Sequence, residues 1–350
     1  MVESLLREFD FAPLQTQLDQ MFPSFEMSVL ELVSSLLKGE HRITISYVFE
    51  LISTIMISEV GNLKVIFLSI LMVGIVSALF SNVSHLFTNH QVADISYYLI
   101  YLYLIMILLR TFYEAFETCQ QTITHIVTFM KIGIPLFTLS LAMTGKIMTS
   151  GVFYQIALLI IFLVEIIVLH FVIPYIYAYV LLSIINGLTD ENRFDSLLRL
   201  LRRGIEWIMK VMVGLVAGIS LIQSLITPAI DSVSTTTMQK VASLIPGIGT
   251  VTDAVADMVI GSTIVIKNSI GVAYAILFLL VCLTPFLKIL CITILLRGSA
   301  AVIGLVCDKR MLRCMEQVSV GSGLLVRTMM NAISMFLVTV AIILFATSKV

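Results

Sequence analysis

From Val152 to Ile185 the chain is overwhelmingly apolar over 34 residues, with Pro174 inside the run. A single helix of that length would measure about 50 Å at 1.5 Å per residue, against a bilayer hydrocarbon core of about 30 Å. It is either a tilted, kinked helix projecting into water or two half-spans, and sequence alone leaves both open. Runs of this kind recur along the chain, which is 59% hydrophobic and only 12% charged. A soluble domain carries about 25% charged residues. The expected fold is therefore all-α: a polytopic integral membrane helical bundle with kinked or discontinuous helices and an amphipathic helical N-terminal region.

The remaining spans follow from the same criterion. Lys64–Val83, Ile95–Phe112 and Ile123–Thr144 precede the long run, and the third carries Lys131, Gly133 and Pro135. Trp207–Ile230, Val272–Leu296 and Leu324–Ala346 come after it, and Gly214, Ala217, Gly218 and Ser220 suit the first of these to close helix packing. Residues 1–62 are the most soluble-looking part. Leu14, Leu18 and Met21, then Val29, Leu32, Val33, Leu36 and Leu37, are spaced for short amphipathic helices, broken by Pro13 and Pro23. Ile43–Val60 is interrupted by Glu50 and Glu59 and reads as a surface helix, not a span. The expected division is 1–62, amphipathic, and 63–350, transmembrane.

Asn186–Lys210 is a charged amphipathic stretch that Thr189 or Asp190 can cap, with Leu197, Leu198, Leu200, Leu201 and Ile205 on its apolar side. It is rich in Arg, as is the loop from Arg297 to Arg313, so both should lie in the cytoplasm. The segment 231–271 lies between them and should face the other side. If residues 1–62 are outside, the number of crossings before residue 190 must be odd, and four expected spans conflict with that. The start of the chain has no apolar leader, so either the first span directs insertion or a leader has been removed.

Segment 231–271 is rich in Ser, Thr, Gly and Asp. It centres on a Pro246-Gly247 turn signal, with Gly249 just beyond it. Asp253 and Asp257 are spaced i,i+4, one face of a helix. The segment is expected to be a helix-turn-helix that re-enters or caps the bundle. The acid pair is more often a solvated face, but it can also select cations along an aqueous path. Lys131, Glu165, His170 and Lys288 lie within apolar spans, where ionisable groups face the bundle interior or a cavity by default. Glu165 can pair with Lys131 or Lys288. A buried ion pair fixing helix register and a transport role weigh equally. Glu165 and His170 are five apart, about 140° around an α-helix, which argues against a relay between those two alone. Pro174, Pro246 and Pro285, with Gly247 and Gly249, are the candidate turns and hinges.

Net charge is −1, which gives no electrostatic case for nucleic acid. The five cysteines have no CxxC pair and read as buried membrane thiols. HExxH, GxSxG and P-loop signatures are absent, so neither an enzyme nor a cofactor is expected.

The succession Lys240, Leu244-Ile245-Pro246, Gly249, Asp253-Ala254 and Asp257, continuing through Gly261, Lys267-Asn268 and Gly271 to Pro285 and Lys288, is similar to the stage III sporulation protein AE family. The resemblance implies a multi-pass protein of the mother-cell membrane in endospore-forming bacteria, with residues 1–62 extracytoplasmic. It implies a channel or export-gate-like part of a secretion-system-like complex that links mother cell and forespore. Its expected partners are the bilayer, ring-forming sporulation proteins and an ATPase; a homo-oligomer is a further option. A non-conducting scaffold for the ring-forming partners is the alternative.

Overall fold

The computed structural model describes residues 9–21, 28–38, 45–83, 90–144, 147–188, 194–242, 249–305, 307 and 309–348. Among them there is helix and no strand. In chain order the helices are α1 (Ala12–Met21), α2 (Val29–Leu37), α3 (Ile45–Val83), α4 (His90–Ala142) and α5 (Ile147–Leu163). A π-helical segment (Val164–Val172) leads directly into α6 (Ile173–Leu188), followed by α7 (Asp195–Ala242), α8 (Gly249–Ile303) and α9 (Lys309–Ser348).

Among the described residues, five stretches are long and apolar enough to cross a membrane: Ile52–Phe80, Tyr98–Ala142, Ile147–Gly187, Ile264–Ile303 and Lys309–Ala341. The all-α polytopic bundle expected from composition is what the chain forms. Its partition into spans is different. Ile43–Val60 is not a separate surface helix, because α3 runs unbroken from Ile45 and its apolar window takes in Glu59 and Lys64. The expected spans 95–112 and 123–144 are one 53-residue helix, α4, about 80 Å long. The polar stretch between them, outside both expected spans, contains no Gly or Pro to break a helix, and its apolar residues keep a helical period. With that fusion, three of the apolar stretches precede residue 190, where four spans were expected.

The 34-residue run lies within one continuous rod of α5, π-segment and α6. The π register ends where the Ile173 N–H donates to the Val168 carbonyl, one residue before Pro174. Proline lacks an N–H and its ring crowds the carbonyl four residues back, so a widened turn just ahead of it lets the helix continue. Pro135 and Pro285 also sit inside helices that continue past them.

Helix α7 starts at Asp195, not at Asn186. The Asn186 side chain donates to Asp195 Oδ1 at 2.6 Å and accepts from the Phe194 N–H at 2.9 Å, tying the end of α6 to the start of α7. Thr189 and Asp190, expected as caps, lie outside the described residues. On α7, Leu198 and Ile205 are buried, whereas Leu197 and Leu200 are exposed. The stretch Trp207–Ile230, expected as a span, is helical within α7 but is not among the five apolar stretches; its side chains from Gln223 on lie outside the described residues.

Helices α8 and α9 form the centre. They pack on each other, α8 also on α3 and α4, and α9 also on α4, α6 and α7. Glycines let the backbones approach. A Cβ on Gly321 of α9 would meet Val180 Cγ2 of α6 at 2.1 Å, and one on Gly133 of α4 would meet the Tyr274 ring of α8 at 2.0 Å. The Thr293 and Ser322 hydroxyls meet at 2.6 Å between α8 and α9, the kind of interhelical polar link that lipid-exposed bundles use.

Helix α2 begins with a capping box: Ser28 Oγ accepts from the Glu31 N–H, and Glu31 Oε2 accepts from the Ser28 N–H. Gln15 of α1 accepts from the Val29 N–H at 2.7 Å. The apolar faces of α1 and α2 are buried through Leu14, Leu18, Val29, Leu32 and Val33, and both helices rest on α4 and α8. The amphipathic pattern read in this part of the sequence corresponds to helices docked on the bundle.

Candidate functional site

Lys131, Glu165 and Lys288, three of the ionisable residues singled out within apolar runs, take part in two ion pairs. Lys131 Nζ of α4 lies 2.7 Å from Glu165 Oε2 of the π-segment. Lys288 Nζ of α8 lies 2.8 Å from Glu114 Oε1 of α4. Both pairs therefore hang on α4, at positions 114 and 131. The structure selects Lys131 as the partner of Glu165; Lys288 takes Glu114, which lies between the expected spans 95–112 and 123–144.

Neither pair is buried. Side-chain exposure is 45% for Lys131 and 36% for Glu165, with 30% for Lys288 and 44% for Glu114. The pairs open onto the outer surface of the bundle. The interior between the helices is instead filled by apolar side chains, among them Phe112, Phe129, Phe278 and Phe336, each at most 1% exposed. Phe129 stacks on Tyr274 with centroids 5.0 Å apart, and the Tyr274 hydroxyl is within 3.3 Å of the Phe129 carbonyl and 2.9 Å of Met130 Sδ. Two apolar grooves lie between α3 and its neighbours; one, against α8, is lined by Met56, Ile57, Val60, Phe67 and Ile294.

His170 meets Glu165 differently from what α-helical geometry implies. Its Nδ1 lies 2.9 Å from the Glu165 carbonyl oxygen, five residues back, so Nδ1 carries the proton in this contact. The angle of about 140° assumed 3.6 residues per turn, and the π register brings residues five apart over one another. The Glu165 carboxylate itself is turned to Lys131.

Pro174 occupies the second position of α6, directly after the π-segment, and Pro285 lies within α8 one turn before Lys288. Gly249 is the first residue of α8. Asp253 and Asp257 occupy α8 helix positions, while their side chains, like Pro246 and Gly247 as a whole, lie outside the described residues.

Lys267 is a buried charged residue that sequence reasoning did not single out. It was counted with the polar segment, yet its side chain is 1% exposed and engaged in an interaction. It sits three residues before Ile270 and seven before Tyr274, both buried. That i, i+3, i+7 spacing places it on the packed face of α8, and this was the available signal.

The polar side of α4 was also missed. Between Arg110 and Lys131 every exposed position is polar or tyrosine, while Phe112, Ala115, Cys119, Ile126 and Phe129 point into the core. Thr118, Thr124 and Thr128 each donate to the carbonyl four residues back, and Gln121 Nε2 donates to Glu117 Oε1 at 3.3 Å. A second charged cluster sits nearer the α7–α9 contact, where Glu206 accepts from Arg202 and from Arg327 of α9. The five cysteines are free thiols, and all but Cys307 are buried.

Residues 27–347 match the family model described as stage III sporulation protein AE. A curated relative, the stage III sporulation protein AE of Bacillus subtilis (strain 168), is 22% identical over 234 residues. That alignment covers 67% of this chain and 59% of the relative, so the match spans less than two thirds of the relative's length. No solved structure matches the chain. With the family model covering nearly the whole chain, this all-α membrane bundle belongs to the stage III sporulation protein AE family.

Proposed function

We propose that the chain is a channel or export-gate-like subunit of a sporulation transport complex that links mother cell and forespore, seated as a multi-pass protein in the mother-cell membrane. The observation that carries this reading is the placement of Lys131–Glu165 and Lys288–Glu114 inside apolar stretches yet open to the protomer surface. Charged groups at such positions mark ion or substrate paths in membrane proteins. The chain itself is assigned no catalytic chemistry and no cofactor. Ring-forming sporulation proteins and an ATPase are its proposed partners, and the ATPase would supply the energy.

A second reading, a non-conducting scaffold for the ring-forming proteins, has its own support. The described centre of the bundle is packed with aromatic and aliphatic side chains, so a path through a single protomer has little room. Alanine at all four positions of the two pairs separates the readings. The channel reading expects heat-resistant spore yield to fall sharply while membrane abundance of the protein stays level. Unchanged spore yield would leave the scaffold reading standing.

A further inference from the structure

The exposed polar face of α4 lies at the depth of its neighbours' most apolar segments. Register follows from named contacts. Phe129 and Lys131 of α4 are level with Tyr274 and Glu165, while Glu114 and Phe116 are level with Lys288 and Tyr177. Between Tyr274 and Lys288, α8 reads AILFLLVCLTPFL, without a charge. Between Glu165 and Tyr177 the neighbouring rod reads IIVLHFVIPYI. The stretch from Arg110 to Lys131 is therefore not a solvated extension beyond the membrane, because the helices on both sides of it are lipid-compatible at the same level.

From Arg110 to Lys131 the face extends about 32 Å along the helix axis, close to the ~30 Å of a hydrocarbon core. Before it, Leu99, Leu102 and Met106 are exposed, and after it Leu139, so the apolar surface resumes at both ends. The threonine hydroxyls are satisfied within the helix, but Glu117, Gln120 and His125 remain exposed and polar. Lipid cannot solvate such a face over its whole length. Its formal charge balances: Arg110, Lys131 and Lys288 against Glu114, Glu117 and Glu165. A balanced face with both donors and acceptors is complementary to another copy of itself, whereas a strongly acidic or basic partner would find no net charge to match.

We infer that the α4 face from Arg110 to Lys131 is the wall of a water-filled path completed between copies of this chain. The inference rests on the channel reading and moves the path from the packed interior of one protomer to the junction of several. Copies would meet along the margins of the face and leave its centre wet.

The test uses the full chain, purified and reconstituted alone in phosphatidylethanolamine–phosphatidylglycerol vesicles, with the five native cysteines replaced by alanine. Single cysteines replace Gln121 and Thr124 at the centre of the face, Gln120 and His125 at its margins and, as the lipid-facing control, Leu279, an exposed residue of α8 between Tyr274 and Lys288. A membrane-impermeant thiol reagent should label the first two at least about tenfold faster than the control, since forming the reactive thiolate requires water. Mild oxidation should link two copies through the cysteine at 120 or 125, where the copies meet. Labelling at 121 and 124 as slow as the Leu279 control overturns the inference, and so does fast labelling without any cross-link at the margins. Should the cysteine-free chain fail to assemble, the same substitutions are read in the native background, where four of the five thiols are buried. Cross-linked, labelled protein combined with normal spore yield from the four-alanine variant would remove the channel reading while leaving the shared wet face in place.

Discussion

Lys131 and Gly133 lie two residues apart on α4 and meet opposite surroundings. Lys131 holds Glu165 at 2.7 Å on a face open to the outside of the protomer. Gly133 is pressed so closely against Tyr274 that a single added carbon would overlap the ring. Within one turn, the helix passes from a charged, accessible face to a dry contact with α8. The difference teaches where specificity and stability reside in this bundle. The dry side is set by shape and tolerates almost no change in volume. The polar side makes few contacts within the protomer, so it is available to something outside it.

Substitutions on the two sides should therefore behave differently. The largest loss is expected on the dry side. Gly133→Leu forces a branched side chain into the Tyr274 ring, and overpacking of this kind costs about 3 kcal/mol. Thermal unfolding in detergent should report it, and an unchanged midpoint would mean that α4 and α8 are not in this contact. Tyr274→Phe keeps the ring stack on Phe129 but removes the hydroxyl contacts to the Phe129 carbonyl and Met130 Sδ, with an expected cost of about 1 kcal/mol in the same assay. On the polar side, Lys131→Ala should cost less than about 1 kcal/mol if water reaches Glu165, the range of exposed ion pairs. A loss of several kcal/mol would instead place Glu165 in a low-dielectric setting, where an unpaired carboxylate is expensive. Glu206→Gln, which weakens the contacts to Arg202 and Arg327 at the α7–α9 junction, should change stability by only a few tenths of a kcal/mol and should lose even that at high salt.

How much of this was legible in the sequence differs for the two sides. Hydrophobicity alone established the helical membrane class, because spans must satisfy their backbone internally. Lys131, Glu165 and Lys288 stood out because charge is rare in apolar runs, and Lys131 was among the partners foreseen for Glu165. Glu114 was invisible as a partner. It lies in a polar stretch that a span-by-span reading leaves outside both spans, although Phe112, Ala115, Cys119 and Ile123 recur there with a helical period. Lys267 was misjudged for a related reason: its charge outweighed the buried stripe it belongs to. The π-segment had a weak signal in Pro174, but the register change, and with it the contact between His170 and the Glu165 carbonyl, depends on packing that no local pattern encodes.

The central claim is that the polar face of α4 at bilayer depth meets water and not lipid. Nitroxide spin labels at Thr124 and at Leu279 in reconstituted full-length protein test it most directly, by comparing collisions with oxygen, which concentrates in lipid, and with a water-soluble nickel chelate. The account predicts that the label at 124 collides mainly with the nickel chelate and the label at 279 mainly with oxygen. Oxygen-dominated collisions at both positions would contradict it.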